Sequence, residues 1–238
     1  MRSLLKRIMC AAFAAVIALA AVCCTKPETA VSADFSEMPV SSYYAPVLYN
    51  NTNGLPTSEA NTIAADADGA IWIGSYGGLV RYDSSHFERM DSTTGLSSIV
   101  SLFFDSKKRM WVGTNDSGAA VIENGTMRKY NREDGLTSLS VRSMTEDKSG
   151  RIYIATTSGV AAVGTDMSLR IIDAPQLNEE YVRELKTAED GTVYGVTKNG
   201  AVFTLRDGAL GEYYSSDTLS LSDIHAILRL SQTGYCCS

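Results

Sequence analysis

An all-β fold of repeated four-stranded antiparallel units is the architecture that this 238-residue sequence predicts. Three observations carry it. Gly54-Leu55, Gly95-Leu96 and Gly135-Leu136 stand 41 and 40 residues apart, and Leu177 and Leu219 continue at 41 and 42. Trp72, Trp111, Tyr153 and Tyr194 keep the same beat, at 39, 42 and 41. Between these markers, short apolar runs and turn residues follow one constant order. Four short strands per 40–42 residues is the pattern of a β-propeller blade, a small sheet radiating from a central axis. A β-sandwich would also alternate with period 2, but it has no reason to repeat its turn chemistry and aromatic at a fixed interval.

Each unit opens with an apolar strand that runs to an acid: TIAAD (62–66), SLFFD (101–105), SMTED (143–147) and KTAED (186–190). A tight turn follows, with Gly69, Gly150 and Gly191 in three copies and Lys108-Arg109 in the other. The second strand centres on the aromatic: IWIG (71–74), MWVG (110–113), IYIA (152–155) and VYGV (193–196). Apolar residues on both faces of these runs fit strands sandwiched between neighbouring blades, which makes the aromatics inter-blade packing. A polar, glycine-ended turn leads to a third strand, GLVRYD (78–83), GAAVIE (118–123), GVAAVG (159–164) or GAVFTL (200–205). Weaker fourth strands close the units, as in HFERM (86–90), MRKYN (127–131), LRIID (169–173) and LGEYY (210–214). The expected blades are 54–94, 95–134, 135–176 and 177–218, with a partial fifth at 219–238 and an orphan outer strand at 43–53.

The first 24 residues stand apart. Arg2, Lys6 and Arg7 form a basic start, and Met9–Cys24 is uncharged, as in a secretory signal. That segment holds three of the 21 Lys+Arg and none of the 27 Asp+Glu, so the remainder carries −9. Such an acidic chain, without a Lys/Arg cluster, is a poor candidate for nucleic acid, which needs a basic surface to neutralise phosphates, and no nucleic-acid partner is expected. Cysteines occur only at 10, 23, 24, 236 and 237, so the body is not a disulfide scaffold. LAAVCCTKPET (19–29) resembles a bacterial lipoprotein signal, with Cys24 as the lipidated residue and 25–42 as a polar tether. Cys23 departs from the small residue usual at that place. Cleavage near Ala33 and retention of an uncleaved anchor are the alternatives; all three imply export and all but the second a membrane attachment.

DADG (66–69) imitates the start of a calcium loop, yet position 12 from Asp66 is Gly77 rather than a bidentate glutamate. Its equivalent DSKKR (105–109) puts lysines where ligands would stand. A hairpin turn explains all four copies, with the aspartate accepting backbone N–H bonds and glycine taking positive φ. No metal or other cofactor is expected. Neither is catalysis: His86 and His225 are the only histidines, no Ser-His-Asp order stands out, and Glu179-Glu180 and Glu189-Asp190 are adjacent pairs that point to opposite sides of a strand.

GLPTSEANTIAADADGAIWIGSYGGLVRYD (54–83), GLSSIVSLFFDSKKRMWVGTNDSGAAVI (95–122) and GLTSLSVRSMTEDKSGRIYIATTSGVAAV (135–163) resemble the two-component regulator propeller repeat. The resemblance spans roughly 43–235, with a degenerate fourth copy. It implies the periplasmic sensor region of a hybrid histidine kinase, or an exported relative without a kinase, responding to a glycan or other nutrient. Full sensors of that family carry further blades, a membrane helix and a kinase. Four complete blades and a truncated fifth are therefore read as an incomplete ring, the N-terminal piece of a longer propeller; a small ring of four to five blades is the alternative. Loops between strands two and three, and between blades, offer Glu59, Tyr76, Asn115, Asp116, Tyr181, Lys198 and Asn199 as groups able to read a carbohydrate or other small ligand. Exposed blade edges could instead hold protein partners, in a lipid-anchored scaffold. A propeller glycosidase or lyase is supported by fold analogy alone.

Overall fold

The computed structural model describes residues 47–57, 59–90, 96–219, 227–231 and 234–237. The chain divides into the units Met1–Val47 and Leu48–Ser238, and every strand below lies in the second. The signal, the tether and Cys24 fall outside the described residues, as does His225.

Four sheets of four antiparallel strands follow one another. The first is β1 (Thr62–Ala65), β2 (Ile71–Ser75), β3 (Gly78–Tyr82) and β4 (Phe87–Arg89). The second is β5 (Ile99–Phe104), β6 (Met110–Thr114), β7 (Ala119–Glu123) and β8 (Thr126–Tyr130). The third is β9 (Val141–Glu146), β10 (Ile152–Thr156), β11 (Val160–Val163) and β12 (Leu169–Ile171). The fourth is β13 (Val182–Thr187), β14 (Val193–Thr197), β15 (Val202–Arg206) and β16 (Ala209–Tyr214). One helical turn, α1 (Ser216–Leu219), precedes a two-stranded hairpin of β17 (Ile227–Ser231) and β18 (Gly234–Cys237), the truncated fifth unit.

Strand order is sequential in every sheet, so β1, β5, β9 and β13 are the equivalent first strands. They lie side by side in turn, β1 on β5, β5 on β9, β9 on β13, and β13 on β17. Among the described residues no comparable contact returns β1 to the last sheets, and the blades do not close into a ring. This is the all-β, incomplete propeller that the repeat predicts.

The four aromatics occupy one place in each blade. Trp72 pairs Ala64 and Arg81 across the sheet, Trp111 pairs Phe103 and Val121, Tyr153 pairs Thr145 and Ala162, and Tyr194 pairs Lys186 and Thr204. They pack between blades. Trp111 shares a core with Val141, Met144 and Ile154 of the third blade, and Tyr153 shares one with Val182, Leu185 and Phe203 of the fourth. Close approach explains the glycine that ends IWIG and MWVG. A Cβ on Gly74 would lie 2.4 Å from Ile99 of the next blade, and one on Gly113 would lie 2.6 Å from Val141. Burying such flanks is what holds a blade in place, at about 25 cal/mol per Å² of apolar surface removed from water.

Two expectations need correction. The described part of the orphan strand, residues 47–53, is not strand: 51–54 form a turn, and Tyr49 instead packs its ring 5.0 Å from Phe87 and 5.6 Å from Tyr82. The asparagines explain the turn, since Asn50 and Asn53 side chains capture nearby backbone groups that a ladder would use. In the fourth blade the acid that ends the first strand is not Asp190. Ala188 takes that place, because its N–H donates to Thr192 O and its C=O accepts from Gly191 N. Asp66, Asp105 and Asp147 make the same two bonds in their blades.

Candidate ligand-binding face

The turns between second and third strands are built on one frame with variable tips. A buried hydroxyl starts each: Ser75 and Thr156 donate to Gly78 O and Gly159 O at 3.0 Å, and Thr114 to Gly118 O at 2.8 Å. Thr197 Oγ1 accepts from Ala201 N at 3.1 Å. A left-handed glycine ends the turn, with Gly118 at φ 84°. A Cβ there would fall 2.2 Å from Tyr130 O, so the frame demands glycine for space as well as conformation.

The tips are stitched to the inter-blade loops by backbone bonds. Asn115 N donates to Ser98 O (2.9 Å), Thr157 N to Ser140 O (3.1 Å) and Lys198 N to Tyr181 O (2.7 Å). Ser98, Ser140 and Tyr181 are therefore equivalent positions, and the fourth blade alone of these puts an aromatic there. Two residues beyond each of Ser140 and Tyr181 come Arg142 and Arg183, at the irregular step where β9 and β13 shift register against their partners.

These positions converge at the seam of blades two, three and four. The Arg142 guanidinium lies over the Tyr181 ring, 5.3 Å from its centroid, and Lys198 Nζ lies over the same ring at 5.5 Å. Arg142 Nη2 donates to Asn115 Oδ1 at 2.8 Å and to Ser140 Oγ at 2.7 Å, and Ser140 Oγ also donates to Asn115 Oδ1 at 3.1 Å. Arg142 Nε is buried with no hydrogen-bond partner among the described residues. Asn199 flanks the group, donating to Glu180 Oε2 at 3.3 Å.

Of the seven residues expected from the sequence, Asn115, Tyr181 and Lys198 thus meet, with Asn199 alongside. The others stand apart. Tyr76 is an exposed tip in the first blade whose C=O accepts from Ser98 N, Asp116 accepts from its neighbour Ser117 Oγ, and Glu59 is tied through its backbone to Thr57. Arg142 and Ser140 were missed, because they lie at the strand's start and not in a loop. The recurrence of arginine 41 residues on, as Arg183, was the available signal.

The hairpins between first and second strands are structural. Asp66 Oδ1 accepts from Asp68 N and Ala70 N, and Oδ2 from Trp72 Nε1 at 2.8 Å. Asp105 accepts from Lys107 N, Arg109 N, Trp111 Nε1 and, at 2.6 Å, from Arg109 Nε. Asp147 accepts from Ser149 N, Arg151 N and Tyr153 Oη. These bonds occupy the carboxylates that a cation would need. Burial raises the Asp147 carboxyl, but bonds from the Ser149 hydroxyl, Arg151 N–H and Tyr153 hydroxyl outweigh it and leave the group below its ordinary value. Beside these hairpins a polar groove of about 520 Å³ runs past Arg151, Asp166, Arg170 and Asp207. His86 sits on the outer strand edge with its Nδ1 3.1 Å from Asp83.

A β-propeller with a cationic and aromatic cluster on its loop face is the class that fold and site define. Residues 54–77, 95–116 and 135–158 match the family described as two component regulator propeller. No curated protein matches. Among solved structures, the chain is similar to the extracellular domain of a hybrid two component system from B. thetaiotaomicron, at 18% identity and TM-score 0.67, over 81% of this chain and 29% of that one. A second such domain from the same organism aligns at 21% identity and TM-score 0.58, over 79% of this chain and 27% of that one. Virginiamycin B lyase from Staphylococcus aureus aligns at 15% identity and TM-score 0.55, over 64% of this chain and 53% of the enzyme. This chain therefore spans under a third of the two component domains and about half of the lyase.

Proposed function

We propose that this chain is the ligand-binding propeller of an exported sensor, responding to a glycan or other nutrient and carrying no catalytic step of its own. One observation carries the reading: three blades contribute Asn115, Arg142, Tyr181 and Lys198 to a single cluster on the loop face, though the repeat itself demands none of them. The match of three repeats to the two component regulator propeller family and the two component neighbours favour sensing over catalysis, and the neighbours' extracellular placement favours export. Lipid on Cys24 would hold the propeller outside the cytoplasmic membrane. Any kinase step lies in another segment or another protein.

A panel of oligosaccharides screened against the purified protein by thermal shift tests this. A true ligand at 100 times its Kd adds about 2.7 kcal/mol and raises Tm in a concentration-dependent way. Tyr181→Ala should abolish that rise; no shift from any compound would refute ligand binding. Lipid labelling that persists in Cys24→Ser would remove the anchor.

A second reading has its own observation. Ile63 of β1 is 64% exposed, on a first-blade strand that among the described residues is packed against one neighbouring blade only, through β5. Such apolar surface suits a protein partner, as in a scaffold. Ile63→Lys should then release the partner without altering ligand response.

A further inference from the structure

We propose that the ligand recognised at the Tyr181 cluster carries an oxyanion, a carboxylate or a sulfate; the inference rests on the ligand-binding reading above. The chain as a whole is acidic, with a formal net charge of −6, so two cations converging on one ring need an explanation. Arg81 over Trp72 and Arg128 over Tyr130 show that a lone cation can rest on a ring, but only Tyr181 among the described residues lies under two. Four cations elsewhere have carboxylates. Arg109 is paired with Asp105, Arg151 with Asp147, Lys186 with Glu184 and Arg206 with Asp190. Arg142 and Lys198 have no carboxylate within ion-pair distance among the described residues, and share only the face of Tyr181. Each cation–ring contact favours binding by about 0.5–1 kcal/mol at an exposed site, while two like charges beside one ring oppose each other. The arrangement becomes favourable when an anion joins it.

Hydrogen-bond capacity points the same way. The acceptors in the cluster are already taken, since Asn115 Oδ1 and Ser140 Oγ both receive Arg142 Nη2. What remains are donors, the Lys198 ammonium and the Asn115 amide nitrogen, and beneath them Arg142 Nε is buried without a partner among the described residues. Beside these donors stand the Tyr181 hydroxyl and the Glu180 carboxylate that receives Asn199, but the unpaired charges of the cluster are positive, and charge-assisted bonds to an ionised oxygen are the strong ones. Asn115 and Ser140 fix the guanidinium in place, so little rotamer freedom is lost on binding. A neutral sugar hydroxyl would leave both positive charges uncompensated.

Calorimetric titration of the full chain decides it, using trigalacturonate against its methyl ester and a sulfated disaccharide against its unsulfated parent. One acidic member should bind at least tenfold more tightly than its neutral match, and which one binds distinguishes carboxylate from sulfate. That affinity should fall as NaCl rises from 50 to 500 mM, because exposed charges are screened. Lys198 is an exposed turn tip, so Lys198→Met should fold normally and lose tenfold or more. Arg142→Met should lose as much, with Arg142→Lys restoring part. Equal binding of acidic and neutral forms, unaffected by either variant, overturns the oxyanion while leaving a ligand-binding propeller. Acidic binding that survives both variants removes it from this cluster. Binding by none of the four compounds overturns both readings.

Discussion

Removing the Asp105 carboxylate tests how the second blade is held. Its side chain is fully buried and accepts four bonds, from Lys107 N at 3.0 Å, Arg109 N and Trp111 Nε1 at 2.9 Å, and Arg109 Nε at 2.6 Å. Asp105→Ala strands the Arg109 guanidinium, whose side chain is only 6% exposed. Breaking a buried pair from one side costs about 3–5 kcal/mol, because the remaining charge is uncompensated. Each buried N–H left without an acceptor adds about 1–3 kcal/mol, and local relaxation recovers part of this. A loss of roughly 4 kcal/mol or more follows. The control is Asp66→Ala, which removes the same turn and indole bonds in a half-buried hairpin that lacks the arginine pair. There water replaces the lost partners, and the cost is about 1–2 kcal/mol. Urea unfolding followed by fluorescence of the two tryptophans measures both. Equal costs for the two variants, or a cost under 1 kcal/mol for Asp105→Ala, would refute the view that the buried carboxylate is the blade's anchor.

Three further outcomes are expected. Lys108 sits at φ 62°, where the other hairpins carry Gly69, Gly150 and Gly191 at 81–89°, so Lys108→Gly should stabilise by about 0.5–1 kcal/mol in the same unfolding assay. Ala188→Asp should give the fourth blade the acceptor its sisters have and raise Tm by a few degrees, as about 1 kcal/mol does in a domain of this size. The Asp147 carboxyl titrates below its ordinary 3.8, so its contribution is complete above that pH and is lost as pH falls through the lowered value; Ser149→Ala, by removing a bond to the charged form, should shrink the drop in Tm between pH 7 and pH 3.

The fold was legible because a propeller writes its geometry at a fixed period. The 39–42-residue spacing of Trp72, Trp111, Tyr153 and Tyr194 became one position in four sheets, and the glycines of IWIG and MWVG became close contacts between blades. What misled was local. KTAED contains an acid at the expected end of the motif, but two residues too late, and only the ladder of bonds from Ala188 shows that the turn begins earlier. VLYNNTN (47–53) has strand-like apolar content, yet its asparagines fold back on their own backbone and outcompete pairing. Side-chain capture of backbone groups is an energetic contest that composition alone does not decide.

The cluster was half legible for a related reason. Positions that recur in every blade are fixed by packing and turn geometry, so chemistry specific to this protein must sit where the repeat leaves freedom. The tips Tyr76, Asn115, Thr157 and Lys198 differ from blade to blade on identical frames, which is why reading loops found Asn115 and Lys198. Arg142 occupies an equally free position, the irregular first step of a strand, where a side chain need not fill a flank between blades. Its place in the cluster was hidden because a charged residue in an inner strand reads as an ion pair waiting for a partner. Here the partners are a hydroxyl of its own blade and an amide and an aromatic ring from two other blades, brought within reach by the rotation of one sheet against the next. A site assembled across blade seams in this way can change its ligand by altering tips and first steps while every inter-blade contact that holds the fold is kept.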